Sequence, residues 1–451
     1  MFTPDLPGGQ VTLQSPRRDV HVRPYRIHAA FTALAALLPV CLAAQSGVPP
    51  ESPAGDTVLA RLTREAVAAN PSLMARRAEA RAAAARVRTA AALPNPMLSV
   101  GVMDLTLPRL GFRESDFTEV DIEASQDLPW PGTLGARGEA AQATARAQEA
   151  DVSTGRREIA VQVAELYHRL RYVVTARQTL RSQRALLSAA VDVATTRYAT
   201  GTAPQGDPLQ ARTAMARLDT EEAELSAEET ALRARLGAVR RVTGPEQLAT
   251  TLIRPDSVLL LSPPGVVANA GFDSLSWHPR IVARNAALQA AQWTVRAEQL
   301  GGRPGFSITT RYGARPLGSD FLSAFVGVRL PIWGGQAPHL LAEAARADAD
   351  AAQAALMQEQ ATLQADLQQD IADVTSGETR LRLLVTQVIP TAEATADAAL
   401  RSYRVGQVPF LGVLAAEDAL YRARLDAARV ASEYLTHLVM LDQLLLREDA
   451  Q

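Results

Sequence analysis

The sequence predicts a mainly α-helical protein with a small β part, built from internally duplicated long helical hairpins and four short strands. Three observations carry this. Landmarks recur in the same order roughly 200 residues apart, too long a period for a solenoid repeat and suited to a duplicated unit. Thr133 to Tyr198 contains no proline and only three glycines, Gly135, Gly138 and Gly155, so a helix there would approach ~100 Å at 1.5 Å per residue. Four other segments alternate apolar and polar residues with period two, the mark of strands with one wet face.

In chain order, Asn70-Pro71 opens a helix. The first strand sets Leu98, Val100 and Val102 against Ser99 and Gly101. The second sets Val120, Ile122 and Ala124 against Glu119, Asp121, Glu123, Ser125 and Asp127. Leu128-Pro129-Trp130-Pro131-Gly132 then introduces the long helix, whose apolar residues Ile159, Val163, Leu166, Leu170, Val173, Leu180, Leu187 and Val191 step by fours and threes. That is a heptad register, interrupted at Arg177 and Arg184. Tyr198-Ala199-Thr200-Gly201 ends it, and Leu218, Leu225, Leu232, Leu236 and Val239 mark the return helix.

The second copy repeats the plan. His278-Pro279 opens a helix; Phe306, Ile308 and Tyr312 oppose Ser307, Thr309 and Arg311; Ala324, Val326, Val328 and Leu330 oppose Ser323, Gly327 and Arg329. Leu330-Pro331-Ile332-Trp333-Gly334 leads into a helix marked by Leu363, Leu367, Ile371, Val374, Leu381, Val385 and Val388, with Pro390 near its far end. It ends in Tyr403-Arg404-Val405-Gly406, and Leu411, Leu414, Tyr421, Leu425, Ala428, Leu435 and Val439 mark the return. Glycine after a helix supplies a left-handed cap, so each Tyr-x-x-Gly turn has a structural reason to exist. The resulting division is a leader at 1–44, a first repeat at 56–244, a linker at 245–277 containing Pro263-Pro264, and a second repeat at 278–447.

Each alternating segment is about ten residues, the length a tilted strand needs to cross a bilayer. Ordinary surface hairpins would show the same pattern. If the strands do cross lipid, four cannot close, and open edges in hydrocarbon leave backbone groups unpaired. The chain would then have to oligomerise into a closed wall.

The bulk properties narrow the function. With 46 basic and 48 acidic residues, every basic one an arginine, there is no nucleic-acid footprint. Aromatics at 5% suit Ala-rich helix packing better than a compact enzyme. Arg17, Arg18, Arg23 and Arg26 precede an apolar run from Ala29 to Leu38 and small residues at Ala43-Ala44, a secretory leader too short to span a bilayer. Cys41, the single cysteine, lies where a lipoprotein would carry its acylated cysteine. Val40 is bulky where a small residue normally precedes it, so plain cleavage is expected ahead of lipidation. His168, His278, His339 and His437 are scattered and form no His-x-x-x-His pair, so no metal site, cofactor or nucleophilic triad is expected.

Together with Leu93-Pro94-Asn95-Pro96-Met97-Leu98, the two Leu-Pro-x-x-Gly junctions and the two Tyr-x-x-Gly turns give a specific pattern. From Asp56 to Leu446 the chain resembles the TolC family of outer-membrane efflux proteins, especially its CzcC/CusC-like heavy-metal branch. That resemblance implies a homotrimer in the outer membrane of a Gram-negative bacterium, with a twelve-stranded transmembrane barrel continued by a coiled-coil α-barrel through the periplasm. It implies a passive exit duct of a tripartite efflux system, docked on a periplasmic membrane-fusion adaptor and through it on an inner-membrane pump.

By the same resemblance Tyr198, Gly201, Tyr403 and Gly406 serve adaptor contact or its geometry. Asp207 and Tyr403 match a carboxylate and tyrosine that tie the closed mouth. The family's arginine partner falls at Val408, and two acidic pore positions fall at Gly412 and Ala415, so closure is expected to rely on packing by Tyr403, Val408 and Phe410. The strand carboxylates Glu119, Asp121, Glu123 and Asp127 would line the lumen, either favouring cations or simply solvating a wet wall, the second being the commoner use. Heavy-metal cations are the expected cargo. A drug or protein export duct of the same family, or a non-channel periplasmic coiled-coil scaffold, are the alternatives, and an enzyme ranks behind both.

Overall fold

A computed structural model of the chain describes residues 56–105, 111, 113, 115–242, 250–261, 275–330 and 337–445. The leader with Cys41, Pro263-Pro264 in the linker, and Pro331 to Gly334 of the second junction lie outside the described residues.

The first copy begins one helix earlier than Asn70-Pro71 suggests. Helix α1 (Thr57–Ala69) is capped by Asp56, whose carboxylate accepts from the Val58 and Leu59 amides at 3.0 and 3.2 Å. Asn70 then caps α2 (Pro71–Ala90) by accepting from the Ser72 amide at 2.9 Å, with Pro71 at the first helical position where its missing N–H costs nothing. Strands β1 (Met97–Met103) and β2 (Glu119–Leu128) follow, then α3 (Thr133–Ala199, 67 residues) and α4 (Gly206–Arg240). A single turn, α5 (Pro255–Val258), lies in the linker. The second copy runs α6 (Pro279–Gly301), β3 (Gly305–Ala314), β4 (Phe321–Arg329), α7 (Ala337–Leu383), α8 (Ile389–Arg404) and α9 (Phe410–Leu445).

Helix α3 is the spine, packing along α2, α4, α6 and α9, while α7 packs on α6 and α9. Apolar burial is divided into successive patches along these helices. One gathers Val163, Tyr167 and Leu170 with Leu59 and Leu62 of α1. A second gathers Leu363, Leu367 and Leu381 with Tyr434 and Leu435. A third lies at the helix turns, around Leu187, Ala211, Tyr403 and Phe410. The expected heptad residues of α3 occupy these seams: Ile159, Val163, Leu170, Val173, Leu180 and Leu187 are all buried.

The two arginines that interrupt the heptads are cross-links to the return helix. Arg177 holds Glu222 at 2.6 Å and also pairs with Glu229, and Arg184 holds Asp219 at 3.0 Å. Arg169 extends the row to Glu228 at 2.7 Å. In the second copy the stripe fails at Val388 and Leu411, which are exposed. Leu384–Val388 forms a π turn, in which the Ile389 amide bonds the Leu384 carbonyl five residues back. Pro390 explains it: the ring lacks an N–H and crowds the carbonyl four residues before it, and a wider turn relieves both.

The linker laces the copies together. The Ile253 amide donates to Thr175 Oγ1 at 2.9 Å, and the Tyr434 hydroxyl donates to the Leu261 carbonyl at 3.1 Å.

The strands form one antiparallel sheet in the order β1-β2-β3-β4. The β2–β3 pairing joins the two copies, with Ile122 opposite Tyr312 and Glu123 opposite Arg311. Among the described residues neither β1 nor β4 has a partner on its outer edge. No helix among the described residues is long and apolar enough to cross a membrane.

Candidate functional site

Among the described residues, the helix turns and the sheet gather the residues that the sequence singles out as functional. At the turns, Gly201 and Gly406 adopt φ of +71° and +81°, the left-handed conformation that reverses the chain after each long helix. Asp207, in the first turn of α4, accepts a hydrogen bond from the Tyr403 hydroxyl at 2.9 Å, tying the first tip to the second. Both side chains are buried, at 8% and 2% exposure. Burial and the Asp207 carboxylate push the Tyr403 phenol up to about 12. Phe410 packs on it with ring centroids 5.1 Å apart, and Val408 is half-buried against the same cluster.

Two sequence expectations are sharpened here. Of its two expected roles, adaptor contact or the geometry behind it, Tyr403 is placed for the second, being buried inside the tip of the single chain, whereas Tyr198 is 46% exposed. The tip also carries a cation that sequence reasoning missed. Arg197 lies 4.7 Å over the Tyr403 ring, donates to the Tyr403 carbonyl, and reaches the Thr202 carbonyl at 3.0 Å. The signal was present as an asymmetry between the copies: arginine precedes Tyr198, while Ser402 precedes Tyr403. Gly412 and Ala415, the two positions expected to face a pore, lie near the start of α9. Nearby, Glu417 is engaged by Gln183 and Asp418 by Arg422 at 2.9 Å.

In the sheet, the register puts Leu98, Val100, Ile122, Ile308, Tyr312, Val326 and Val328 on one face. Many are strongly exposed in the single chain, Leu98 at 70% and Val326 at 77%. The opposite face carries the four expected carboxylates, but they are not a free anionic strip. Arg315 reaches Glu119 at 3.0 Å, Arg311 reaches Glu123 at 2.8 Å and Arg329 reaches Asp127 at 2.7 Å. Glu119 and Asp121 are also buried. Asp121 Oδ1 has no hydrogen-bond partner among the described residues, and the Phe321 ring covers the space above Gly313 beside it. An arginine on β3 or β4, or just beyond β3, neutralises each of three acids on β2, so the face is ionic yet close to balanced.

Helix packing also gathers a group that histidine spacing could not reveal: His437 of α9 stands beside Asp370 and Asp373 of α7.

The family model described as outer membrane efflux protein matches residues 62–244 and 273–445. A comparison with curated proteins returns no match. Among solved structures, the chain is similar to the outer-membrane channel OprN at 21% identity and a TM-score of 0.74, covering 87% of this chain and 91% of that one. It is similar to CusC at 18% identity and a TM-score of 0.73, covering 86% and 92%. It is also similar to the outer membrane protein VceC from Vibrio cholerae at 19% identity and a TM-score of 0.73, covering 86% and 95%. At these identities the likeness shows the fold: long helical hairpins with a small sheet. With both copies matched, the chain belongs to the outer membrane efflux protein family.

Proposed function

We propose that this protein is the outer-membrane exit duct of a tripartite efflux system, conducting cargo passively outward from a periplasmic adaptor and an inner-membrane pump. The observation that carries the reading is the sheet: four strands, an apolar face and two open edges, on helices too long for a single globule. Unpaired edges in hydrocarbon cost several kcal/mol per backbone group, so the edges call for neighbouring copies. Three copies would close a twelve-stranded barrel, β4 of each against β1 of the next. The repeats at 56–244 and 278–447, joined by the 245–277 linker, would then be two staves per chain, exported by the leader at 1–44.

In this arrangement the carboxylate face turns to the lumen. The helix turns form the periplasmic mouth, with exposed Tyr198, Gly201 and Gly406 offered to the adaptor, and Asp207, Tyr403, Val408 and Phe410 holding the closed state. Heavy-metal cations are the proposed cargo, on the resemblance to the CzcC/CusC-like branch. The arginine-paired strand acids add no electrostatic support to that choice.

Planar-bilayer recording of the purified oligomer tests the duct. Discrete conductance is expected, rising when the tip is loosened; a silent protein, or one recovered as a soluble periplasmic monomer, would overturn the reading. Deletion of the gene should sensitise cells to copper, silver, zinc, cobalt or cadmium. Drug hypersensitivity with unchanged metal tolerance would replace the cargo.

A further inference from the structure

Asp370 and Asp373 lie three residues apart on one face of α7, and His437 of α9 is set between them. Its Nδ1 is 3.5 Å from Asp370 Oδ1 and 3.8 Å from Asp373 Oδ2. Nδ1 is inaccessible to solvent and makes no hydrogen bond of acceptable geometry. The three donor atoms all lie within 4.8 Å of one another. Two other half-buried acids of the long helices take an arginine, Glu229 taking Arg177 and Glu359 taking Arg280. Neither Asp370 nor Asp373 has one among the described residues; Asp373 accepts only from the neighbouring Gln369 amide, at 2.9 Å. Two carboxylates held together on one helix face repel each other unless a cation sits between them.

We propose that Asp370, Asp373 and His437 form a binding site for a divalent first-row transition-metal ion, joining α7 to α9. Donors bonded to one such ion at ~2.1 Å stand about 3.0–3.5 Å apart at octahedral to tetrahedral angles, so the 3.8 Å separation must shrink by a few tenths of an ångström and no pair of donors, all within 4.8 Å of one another, by more than ~1.8 Å. One imidazole and two carboxylates suit Zn²⁺, Co²⁺ or Ni²⁺; the absence of a thiolate or thioether from the set disfavours Cu⁺ and Ag⁺. His437 Nδ1 faces both carboxylates and would have to give up any proton to ligate the ion, so binding weakens on acidification. Next to His437 lies a cleft of about 150 Å³ whose lining includes Arg169, Arg429, Glu433 and Thr436. The site stands independently of what the duct carries.

The test uses the full-length protein, purified in detergent and titrated with Co²⁺ followed by its visible absorption, with Zn²⁺ as competitor. One saturable ion per chain is expected, displaced by Zn²⁺ and unaffected by Ag⁺, together with a rise in melting temperature. His437→Gln and the milder Asp373→Asn should each weaken binding at least tenfold and abolish that rise, while Asp418→Asn changes neither. Co²⁺ binding that is absent, or equally tight in Asp373→Asn, would overturn the site and leave the cluster a helix-to-helix ion pair. Asp373→Asn decides the matter even if His437→Gln does not fold.

Discussion

At the tip, the bond between Asp207 and Tyr403 is worth more than its length alone suggests, because both groups are buried. Tyr403→Phe keeps the ring against Phe410 but leaves the carboxylate without its donor, a loss of about 1–3 kcal/mol per chain. The tips of the two hairpins are joined through this contact, so bilayer conductance of Tyr403→Phe should exceed that of the native protein; an unchanged closed state would assign closure to Arg197 and packing instead. His168 poses the opposite case. It is fully buried, neither ring nitrogen has a hydrogen-bond partner among the described residues, and burial, with Arg171 nearby, pushes its pKa down to about 3. Between about pH 6.5 and 3 the unfolded chain binds a proton that the folded chain refuses. Stability therefore falls on acidification through that window, by up to ~1.4 kcal/mol per pH unit, and is untouched above it. His168→Leu should remove this acid slope and be neutral or stabilising at pH 7.5, as urea unfolding at pH 7.5 and 5 would show. A strongly destabilised variant at pH 7.5 would mean that the ring has a partner in the assembled protein.

Among the elements, the rungs between α3 and α4 differ in burial and so in energy. Arg177, Glu222 and Glu229 are largely shielded, whereas Arg184 and Asp219 are half exposed. Exposed pairs contribute ~0–1 kcal/mol, while stripping the partner from a shielded acid costs more. Arg177→Ala should therefore lower stability by about 1–3 kcal/mol and Arg184→Ala by less than ~0.5, measured by denaturant unfolding; equal losses would show that the rungs act only through helix packing. These rungs mark what period alone can reveal. The long helices, both turns and the stripe through Leu187 were legible because one face repeats over many turns. Arg177 looked like a flaw in that stripe, since its partners sit 45 and 52 residues away. Helix α1 was missed although Leu59, Leu62 and Ala66 recur at helical spacing and are buried, and although Asp56 before Thr57 is a capping signal; Asn70-Pro71 is the more conspicuous helix start and drew the boundary. The exposure of Val388 follows from a π turn, which shifts the register without changing composition. Arg197 over Tyr403 and the grouping of His437 with Asp370 and Asp373 needed distant helices to be placed first.

For the whole molecule, period two revealed four strands but not which copy they pair with. The register shows that the hairpin of one copy is hydrogen-bonded to that of the other through β2 and β3, so the sheet cannot be divided at the repeat boundary. It also matches acids on β2 with arginines of the second copy, a pairing invisible while the two copies are read separately. What remains uncovered is the apolar face and the outer edges of β1 and β4. Lipid on that face and a lumen on the other make opposite demands on a new charge. Val326 and Ser323 both lie on β4, three residues apart and therefore on opposite faces. If Val326 faces lipid near mid-bilayer, Val326→Arg costs about 2–4 kcal/mol, whereas a lumen position tolerates arginine as it already tolerates Arg311 and Arg329. Val326→Arg should cut the yield of assembled oligomer in outer-membrane fractions, and Ser323→Arg should leave it near the native level. The reverse ranking would turn the sheet inside out, and equal yields would detach these strands from the membrane altogether.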